Sequence, residues 1–213
     1  MDRETMVQTA LLGFGTPGND NPIIPSSPDA YRADTIPQDI EMAKQLLAEA
    51  GYADGLTVDL NTGAADFLPG NLVMVQAYKE MAAQAGIDVN IVTSPNDSYW
   101  DEIWLQRPFV VSYWSPRPPG AAFAIGYRTD AKYNETRWFN ADFDALLDRA
   151  GATVDAGERR ALYQEAQRII AEEGGVIVPM FTSRIAAIRS GCTGHHVHVD
   201  INRIQYAEMS CEN

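Results

Sequence analysis

The apolar positions of this chain follow a helical period and a strand period in turn. Spacings of three and four residues between apolar side chains predict helices, whereas strict alternation or a short unbroken apolar run predicts strands. The predicted helices follow Asp2, Asp39, Asn140 and Asp155, and cover residues 71–85 and 98–106. The predicted strands cover residues 56–60, 87–92, 109–114, 176–181 and 184–188. This alternation predicts a layered α/β domain.

The order of these elements also predicts how the strands are connected. The strand–helix–strand unit between residues 56 and 92 is typical of a right-handed parallel crossover. The apolar run at 109–114 is predicted to be the central strand. Residues 176–181 and 184–188 are separated by two residues and are predicted to form a hairpin.

Local signals mark where the last predicted helix begins and ends. Asp155, followed three residues later by Glu158, is a capping-box pattern, which satisfies free amide donors in the first turn. Gly174 and Gly175 permit the left-handed backbone that ends a helix. The helix is therefore predicted to begin after Asp155 and to end at Gly174 or Gly175.

Two long segments have no regular period. Residues 13–37 contain five prolines and are predicted to be a connecting arm. Residues 115–140 contain three prolines and two glycines, and they are long for a loop within a compact domain. Loops of this length are usually functional or partly disordered. The second segment is therefore a place to expect functional residues.

Composition narrows the classes of function. The chain has 213 residues, of which 46% are hydrophobic, which is enough for a packed core. No run of about 18 apolar residues and no charged-then-apolar leader occurs, so neither a spanning helix nor a signal peptide is predicted. A formal net charge of −13 argues against nucleic acid as a partner, since binding phosphates requires clustered lysine or arginine. An acidic surface is also common for solubility alone.

The two cysteines, Cys192 and Cys211, both lie near the C-terminal end. A pair without a third cysteine fits one disulfide in an oxidising compartment. Two buried free thiols are the alternative, because the sequence does not show whether the two α-carbons lie within bridging distance.

Several motifs, taken in order, resemble a known family. In the C-terminal half they are Trp138-Phe139-Asn140, Phe143-Asp144, Leu146-Leu147, Glu158-Arg159, Leu162-Tyr163, Gln167, Ile169-Ile170 and Ile177-Val178-Pro179. Earlier in the chain they are Asp2-Arg3-Glu4, Gly13-Phe14-Gly15 and the run from Ala43 to Tyr52. The chain resembles the C-terminal lobe of extracellular solute-binding proteins of family 5, the dipeptide, oligopeptide and nickel receptors of ATP-driven importers. The resemblance spans nearly the whole chain.

The resemblance implies a fold and a role. The implied fold is an α/β lobe of a two-lobed protein, periplasmic-binding-protein-like (type II), with a mixed sheet flanked by helices. Residues 1–37 are then a helix and connecting arm, residues 38–190 the ligand-binding lobe, and residues 191–213 a tail returning toward an N-terminal lobe absent from this chain. The implied role is that of a substrate-binding component of an ABC-type importer, periplasmic or extracellular, which delivers a peptide-like or other polar solute to a membrane permease. Neither catalysis nor a cofactor is expected.

The residues that follow the apolar stretch 109–113 are the first candidates for ligand contact. Ligands of open α/β sheets gather beyond the carboxyl ends of the strands. Trp114 offers a flat apolar platform, and Arg117 offers a planar fork that pairs with a carboxylate or phosphate. Ser115 lies between them, and a proline on either side of Arg117 restricts the backbone. The alternative is structural, with the tryptophan packing the lobe and the arginine pairing with a local acid.

The resemblance sharpens this expectation and adds a difference. In the family's peptide receptors this segment has the pattern Trp-x-x-Asp, and the aspartate holds the α-amino group of the ligand. Arg117 occupies the matching position here, and a cation there repels an amino group. We therefore expect Arg117 to face an anionic or polar group of a small ligand. Tyr113, Trp114 and Phe123 are expected to supply stacking surface.

Two other functions are alternatives at this stage. The run from Cys192 to His198 has cysteine and histidine at short spacing, and with an acid such as Asp200 it suggests a small metal-dependent hydrolase. The spacing does not match a closed structural site, so no metal ligand is assigned. The proline-rich stretch from Pro22 to Pro37 suggests instead a protein-interaction module. No nucleophile elbow, zinc helix or phosphate loop occurs in its required setting, so no catalytic residue is predicted.

Overall fold

Helices and strands alternate along the chain. The computed structural model describes residues 1–32, 34–195 and 208–212. The helices are α1 (Arg3–Leu11), α2 (Ile40–Glu49), α3 (Asn71–Ala83), α4 (Asn96–Glu102), α5 (Pro119–Gly126), α6 (Ala141–Ala152) and α7 (Ala156–Glu173). The strands are β1 (Gly15–Pro17), β2 (Leu56–Gly63), β3 (Ile87–Ser94), β4 (Met180–Thr182), β5 (Cys192–Thr193) and β6 (Ser210–Cys211). Within the described ranges no helix is long and apolar enough to cross a membrane.

A parallel pair of strands organises the first half of the chain. β2 and β3 pair in parallel along their full length, from Leu56 opposite Ile87 to Gly63 opposite Ser94. α3 connects the two strands. The parallel pairing predicted for this strand–helix–strand unit is therefore confirmed.

The predicted central strand at 109–114 is wrong in two respects. Its pairing is limited to one parallel bridge, between Val110 and Asn61, in which Val111 N–H donates to Asn61 O at 2.9 Å. The segment also lies beside β2, so that β2 is the middle strand of the three. The chain leaves the sheet after Val111 because the next side chains enter ring contacts, and three prolines without amide donors follow within eight residues.

The first hydrophobic core lies on one face of this sheet. Val75 of α3 packs against Leu60 of β2 and Val89 of β3, and all three side chains are buried. On the opposite face Asp59 and Asn90 are exposed, and Asn90 Nδ2 donates to Asp59 Oδ1 at 3.2 Å. Because successive side chains of a strand point to opposite faces, the alternation in the sequence places α3 on the apolar side.

Tyr99, in α4, fastens β2 to the segment beside it. Its side chain is fully buried. Its hydroxyl lies 3.0 Å from Asn61 O and 2.8 Å from Val111 O, so one hydroxyl hydrogen is shared between two carbonyl acceptors. Burial raises the pKa of Tyr99 to about 12. The neutral phenol therefore holds the two segments together where they approach their carboxyl ends.

A second hydrophobic core joins α5, α6 and α7. Phe123, Phe143 and Ile170, one from each helix, are buried in the same cluster. The presence of α5 corrects the prediction that residues 115–140 lack regular structure. Pro119 begins this helix, because proline fits the first helical position, where its missing amide donor is not needed.

Side-chain caps begin the helices where the sequence predicts. The carboxylates of Asp2, Asp39 and Asp155 each accept a hydrogen bond from the backbone N–H three residues later, at 3.0, 2.8 and 2.8 Å. At the end of α7, Gly175 has a φ of +65°, the left-handed conformation expected there. Local polar chemistry therefore defines these helix ends.

The predicted hairpin between residues 176–181 and 184–188 is wrong. β4 pairs antiparallel with β1 instead, and residues 184–188 form no strand. The connecting arm supplies the partners for this run, because Val178 N–H donates to Asp20 Oδ1 at 2.9 Å. Asp20 in turn pairs with the buried Arg3 at 2.5 Å. A long-range contact therefore replaces the local one that the sequence suggests.

The two cysteines lie on short paired strands near the end of the described chain. β5 and β6 are antiparallel, with Cys192 opposite Cys211. The structure joins these residues by a disulfide bond, with their α-carbons 4.0 Å apart. Of the two alternatives that the sequence leaves open, the structure contains the bridged one. The division of the chain at residues 37 and 190 stays a prediction.

We predict that Tyr99→Phe lowers the free energy of unfolding by about 1–3 kcal/mol, because a buried carbonyl acceptor loses its donor. The ordinary pKa of 10 applies in the unfolded chain, and the folded value is higher. The contribution of this phenol is therefore fully present below pH 10 and is lost as the pH rises from about 10 to 12. Urea unfolding at a series of pH values measures both effects.

The control is Tyr52→Phe, since Tyr52 is 47% exposed. Equal unfolding free energies for the two variants at neutral pH, or an unchanged alkaline slope in Tyr99→Phe, would contradict the assignment.

Candidate functional site

The carboxyl ends of the parallel segments meet at one edge of the sheet. Phe67 follows the end of β2, α4 follows the end of β3, and Tyr113 and Trp114 follow the bridge at Val110. In parallel sheets the ends of neighbouring strands open on the same side, where ligands of this class of fold bind. This edge is therefore the candidate site.

Aromatic rings from all three segments pack together at this edge. The ring centroid of Phe67 lies 4.5 Å from that of Tyr99 and 5.9 Å from that of Tyr113. Trp100 lies 5.3 Å from Phe67 and 5.3 Å from Trp104, which extends the cluster along the edge. Most pairs are tilted or edge-to-face, the arrangements that aromatic rings prefer. We call this cluster the aromatic face; its members are Phe67, Tyr99, Trp100, Trp104, Tyr113, Trp114 and Tyr133.

Amide side chains fix the loop that carries Phe67. Asn96 Oδ1 accepts from Ala64 N–H at 2.8 Å, and Asn96 Nδ2 donates to Asp66 Oδ1 at 2.6 Å. The buried Asn71 donates to Gly63 O at 2.9 Å. These bonds satisfy the backbone where β2 ends, so the loop leaves the sheet in a defined direction.

Arg117 lies over the ring of Trp114. Its Cζ atom is 5.1 Å from the ring centroid, a cation–π arrangement. One guanidinium nitrogen donates to Ser115 O at 2.9 Å. Within the described part of the chain Arg117 has no ion pair with an acidic side chain. Its remaining donors are therefore available in the plane of the guanidinium.

The carboxylate of Glu135 lies at the edge of the same tryptophan ring. It accepts a hydrogen bond from Trp104 Nε1 at 2.5 Å and one from Trp114 Nε1 at 3.2 Å. Tyr133 packs against both indoles, with centroid distances of 5.1 and 5.9 Å. The site thus combines a stacked cation on one ring face with an anion held at the ring edges.

The structure brings together four of the five predicted ligand-binding residues. Tyr113 is 53% exposed, Trp114 and Arg117 are half-buried, and Ser115 is exposed. Phe123 is a correction, because its side chain is fully buried in the helical core and offers no surface to a solute. Its position within α5, which the sequence analysis did not predict, explains this burial.

Several residues of the aromatic face are absent from the sequence-based candidates. Phe67 and Tyr133 lie in segments without a distinguishing motif, and only the fold brings them to the edge. Trp100 and Trp104 are spaced by about one helical turn. This spacing is typical of the edge of an amphipathic helix and does not by itself indicate a ligand site. Glu135 carries no local signal except its place in the long segment 115–140.

The geometry does not support a metal centre in the described ranges. No group of three or more histidine, cysteine, aspartate or glutamate side chains there could hold a metal ion. The sulfur of Cys192 is in a disulfide, so it is not a thiolate ligand. The candidate residues His196, His198 and Asp200 lie outside the described residues.

Two grooves occur away from the aromatic face. One, of about 350 Å³, lies where the loop before β2 approaches the end of α3, between Tyr52 and Gly86. The other, of about 700 Å³, lies between α1 and the outer side of α3, beside Thr9 and Val73. Neither groove includes Trp114 or Arg117.

Comparison with known proteins identifies the family. The family model for bacterial extracellular solute-binding proteins, family 5 middle, matches residues 1–136. The chain belongs to this family. The resemblance inferred from the ordered motifs is therefore confirmed.

Two bacterial proteins are similar to most of this chain. The probable deoxycholate-binding periplasmic protein YgiS of Escherichia coli (strain K12) is 26% identical over 212 residues, which are 93% of this chain and 38% of that protein. The glutathione-binding protein GsiB of Salmonella paratyphi A is 26% identical over 219 residues, which are 94% of this chain and 41% of that protein. The chain thus spans about two fifths of the length of these relatives.

Solved structures agree on the fold. The ABC transporter-associated periplasmic binding protein DppA from Helicobacter pylori, in complex with peptide STSA, superposes with a TM-score of 0.71 at 23% identity. The match covers 85% of this chain and 36% of that chain. This family 5 chain therefore has the α/β fold of part of a type II periplasmic binding protein, as predicted.

We predict that truncating two aromatic residues of the segment 113–123 changes the free energy of unfolding by very different amounts. Phe123→Ala should lower the free energy of unfolding by about 3–5 kcal/mol, because it leaves a cavity in the buried helical core. Tyr113→Ala should change it by less than about 1 kcal/mol, since this ring is 53% exposed.

Chemical denaturation followed by circular dichroism measures both values. A small effect of Phe123→Ala would place that ring on the surface and restore it as a candidate contact residue.

Proposed function

We propose that this chain is the ligand-binding lobe of an importer receptor, which delivers a small solute to a membrane permease of the ABC type. Membership of family 5 and the type II fold support this role. The observation that carries it is the arrangement of Arg117 on Trp114 at the carboxyl edge of the sheet, with guanidinium donors free of protein acids in the described ranges. The receptor acts by binding and catalyses no reaction.

The open geometry of the site fits a clamp made of two lobes. Tyr113 and Ser115 are exposed at this edge of the sheet, so a solute resting on them stays partly exposed to water. A companion lobe of the same receptor, carried outside this chain, covers the other side when a hinge closes. Ligand contacts from both lobes stabilise the closed form over the open one. This lobe alone therefore binds its ligand weakly.

The charge of the site favours a ligand with an anionic group. A guanidinium pairs with a carboxylate or phosphate through two parallel hydrogen bonds. A protonated amino group at the same place is repelled by about 1 kcal/mol in water and by more in a closed, desolvated site. We therefore propose a small polar solute with an anionic group held by Arg117, while Tyr113 and Trp114 contact its apolar part.

The names of the relatives supply two probes. The relatives are described as binding deoxycholate and glutathione, both of which carry carboxylates. In keeping with those relatives, the proposed location is the periplasm or the cell exterior, in association with the permease.

We predict that Arg117→Ala weakens binding of glutathione or deoxycholate to this chain by about 10- to 100-fold, since a charge-assisted hydrogen bond contributes about 1.5–3 kcal/mol. Arg117→Lys should recover only part of this loss, because an ammonium group lacks the planar fork. Titrations followed by nuclear magnetic resonance measure the weak affinities expected of one lobe.

The matched control is Arg107→Ala. Arg107 is an exposed arginine in the segment after α4. This substitution should leave the affinities unchanged. Equal affinities of wild type and Arg117→Ala for the two anionic probes would remove Arg117 from the site. So would binding of the cationic dipeptide amide Ala-Ala-NH2 to wild type as tightly as the anionic probes bind. No shift of any aromatic-face signal with either anionic probe would count against the site itself.

A further inference from the structure

One carboxylate connects three separate segments of the candidate site. Glu135 lies between α5 and α6 and accepts hydrogen bonds from two indole N–H groups. Trp104 follows α4, whereas Trp114 follows the bridge at Val110. Glu135 therefore links the segment 127–140 to both Trp104 and Trp114, in addition to the ring contacts of Tyr133.

Both hydrogen bonds have a carboxylate acceptor, and the one from Trp104 is the shorter, at 2.5 Å against 3.2 Å for Trp114. An indole Nε1–H is a donor only and needs an acceptor when it is half-buried. A carboxylate acceptor gives a charge-assisted bond, about twice as strong as a neutral one. Because both N–H groups bond to the two oxygens of one carboxylate, the Nε1 edges of the two indoles are held near each other.

The ring of Trp114 transmits this anchoring to Arg117. Its edge donates to Glu135, and its face carries the guanidinium at 5.1 Å from the ring centroid. Donation of the N–H to an anion increases the electron density of the ring, which strengthens the attraction of its face for a cation. No direct hydrogen bond or ion pair joins Glu135 to Arg117 among the described residues. The influence of the carboxylate therefore passes through the indole.

A neighbouring residue supports the same arrangement from behind. Lys132 Nζ lies 4.9 Å from the ring centroid of Tyr133, and this ring packs against Trp104 and Trp114. The segment 132–135 thus carries a cation on one ring and an anion at the edges of two others. Glu135 is the member of this segment that bonds to the indoles.

We propose that Glu135 is a positioning residue, which holds Trp114 so that the guanidinium of Arg117 stacks on it with its free donors facing the solute. Its effect on affinity rests on the proposed solute-binding function. Its effect on the two indoles and on Arg117 does not depend on that function. The positioning role and the solute-binding function can therefore be contradicted separately. The positioning role does not require contact between Glu135 and a ligand.

The first test needs no ligand. The chain has four tryptophans, Trp100, Trp104, Trp114 and Trp138, so nitrogen–proton correlation spectra give four indole N–H signals. In Glu135→Gln the signals of Trp104 and Trp114 should move upfield and exchange faster with solvent, and those of the other two should stay. The side-chain signals of Arg117 should lose part of their ring-current displacement. Glu102→Gln, which removes an exposed carboxylate of α4, is the control and should move none of the four.

The second test uses glutathione as the anionic probe. Glu135→Gln should weaken its binding by about two- to fivefold, the range that corresponds to the loss of an exposed cation–π contact. In the Arg117→Ala background the same substitution should have no further effect, because the residue acts through Arg117.

Each outcome decides between positioning and simple structural support. Indole signals that move while those of Arg117 stay, or affinity losses that add independently in the double variant, would overturn the proposal. Unchanged Trp104 and Trp114 signals in Glu135→Gln would overturn it as well. If wild type fails to bind any probe while the signals move as expected, the proposed function is wrong and the positioning role stands. Glu135→Gln preserves the shape of the side chain, and a preserved amide spectrum shows that the variant is folded.

Discussion

The candidate site depends on the parallel alignment of three backbone segments. β2 pairs with β3 along its full length and with Val110 through one bridge, and the hydroxyl of Tyr99 bonds to both backbone segments of this second pairing. Because the three segments run in the same direction, they deliver their following residues to a single edge. Phe67, α4 and the segment from Tyr113 onward meet there for that reason alone. A buried phenol that remains neutral is well suited to this second pairing, since it bonds to carbonyl groups without introducing a charge.

The charges at this edge are arranged in order across one aromatic ring. Arg117 lies on the face of Trp114, and Glu135 lies at its edge, so the cation points toward solvent and the anion is engaged by two N–H donors. A chain with a net charge of −13 therefore presents a positively charged group at the proposed binding site. Within the described ranges no acidic side chain forms an ion pair with Arg117. A stacked guanidinium with free donors in its plane is a preorganised receptor for an anion.

Local signals in the sequence predicted much of this fold, and long-range ones were missed. Asp39 and Asp155 are caps because a side-chain oxygen and an amide three residues away suffice to form them. The alternation in β2 and β3 likewise reports which face meets α3. The hairpin with 184–188 failed because Asp20, distant in sequence, binds the backbone at Val178. The prediction of Phe123 as a contact residue was wrong because its burial depends on α5, a helix that the sequence did not predict. Glu135 could not be predicted because its role depends on two indoles that are distant in the sequence and adjacent only in the fold.

In the proposed function, this family 5 chain binds a solute at the aromatic face, on the carboxyl edge of a parallel sheet. The central proposal is that the solute binds through Arg117 while lying on Trp114. A crystal structure of this chain with glutathione bound tests the claim most directly. The account predicts a carboxylate of the ligand within hydrogen-bond distance of the Arg117 guanidinium, with the stacking on Trp114 retained. A ligand seated instead in the groove between α1 and α3, or an Arg117 side chain turned away from the bound carboxylate, would contradict it.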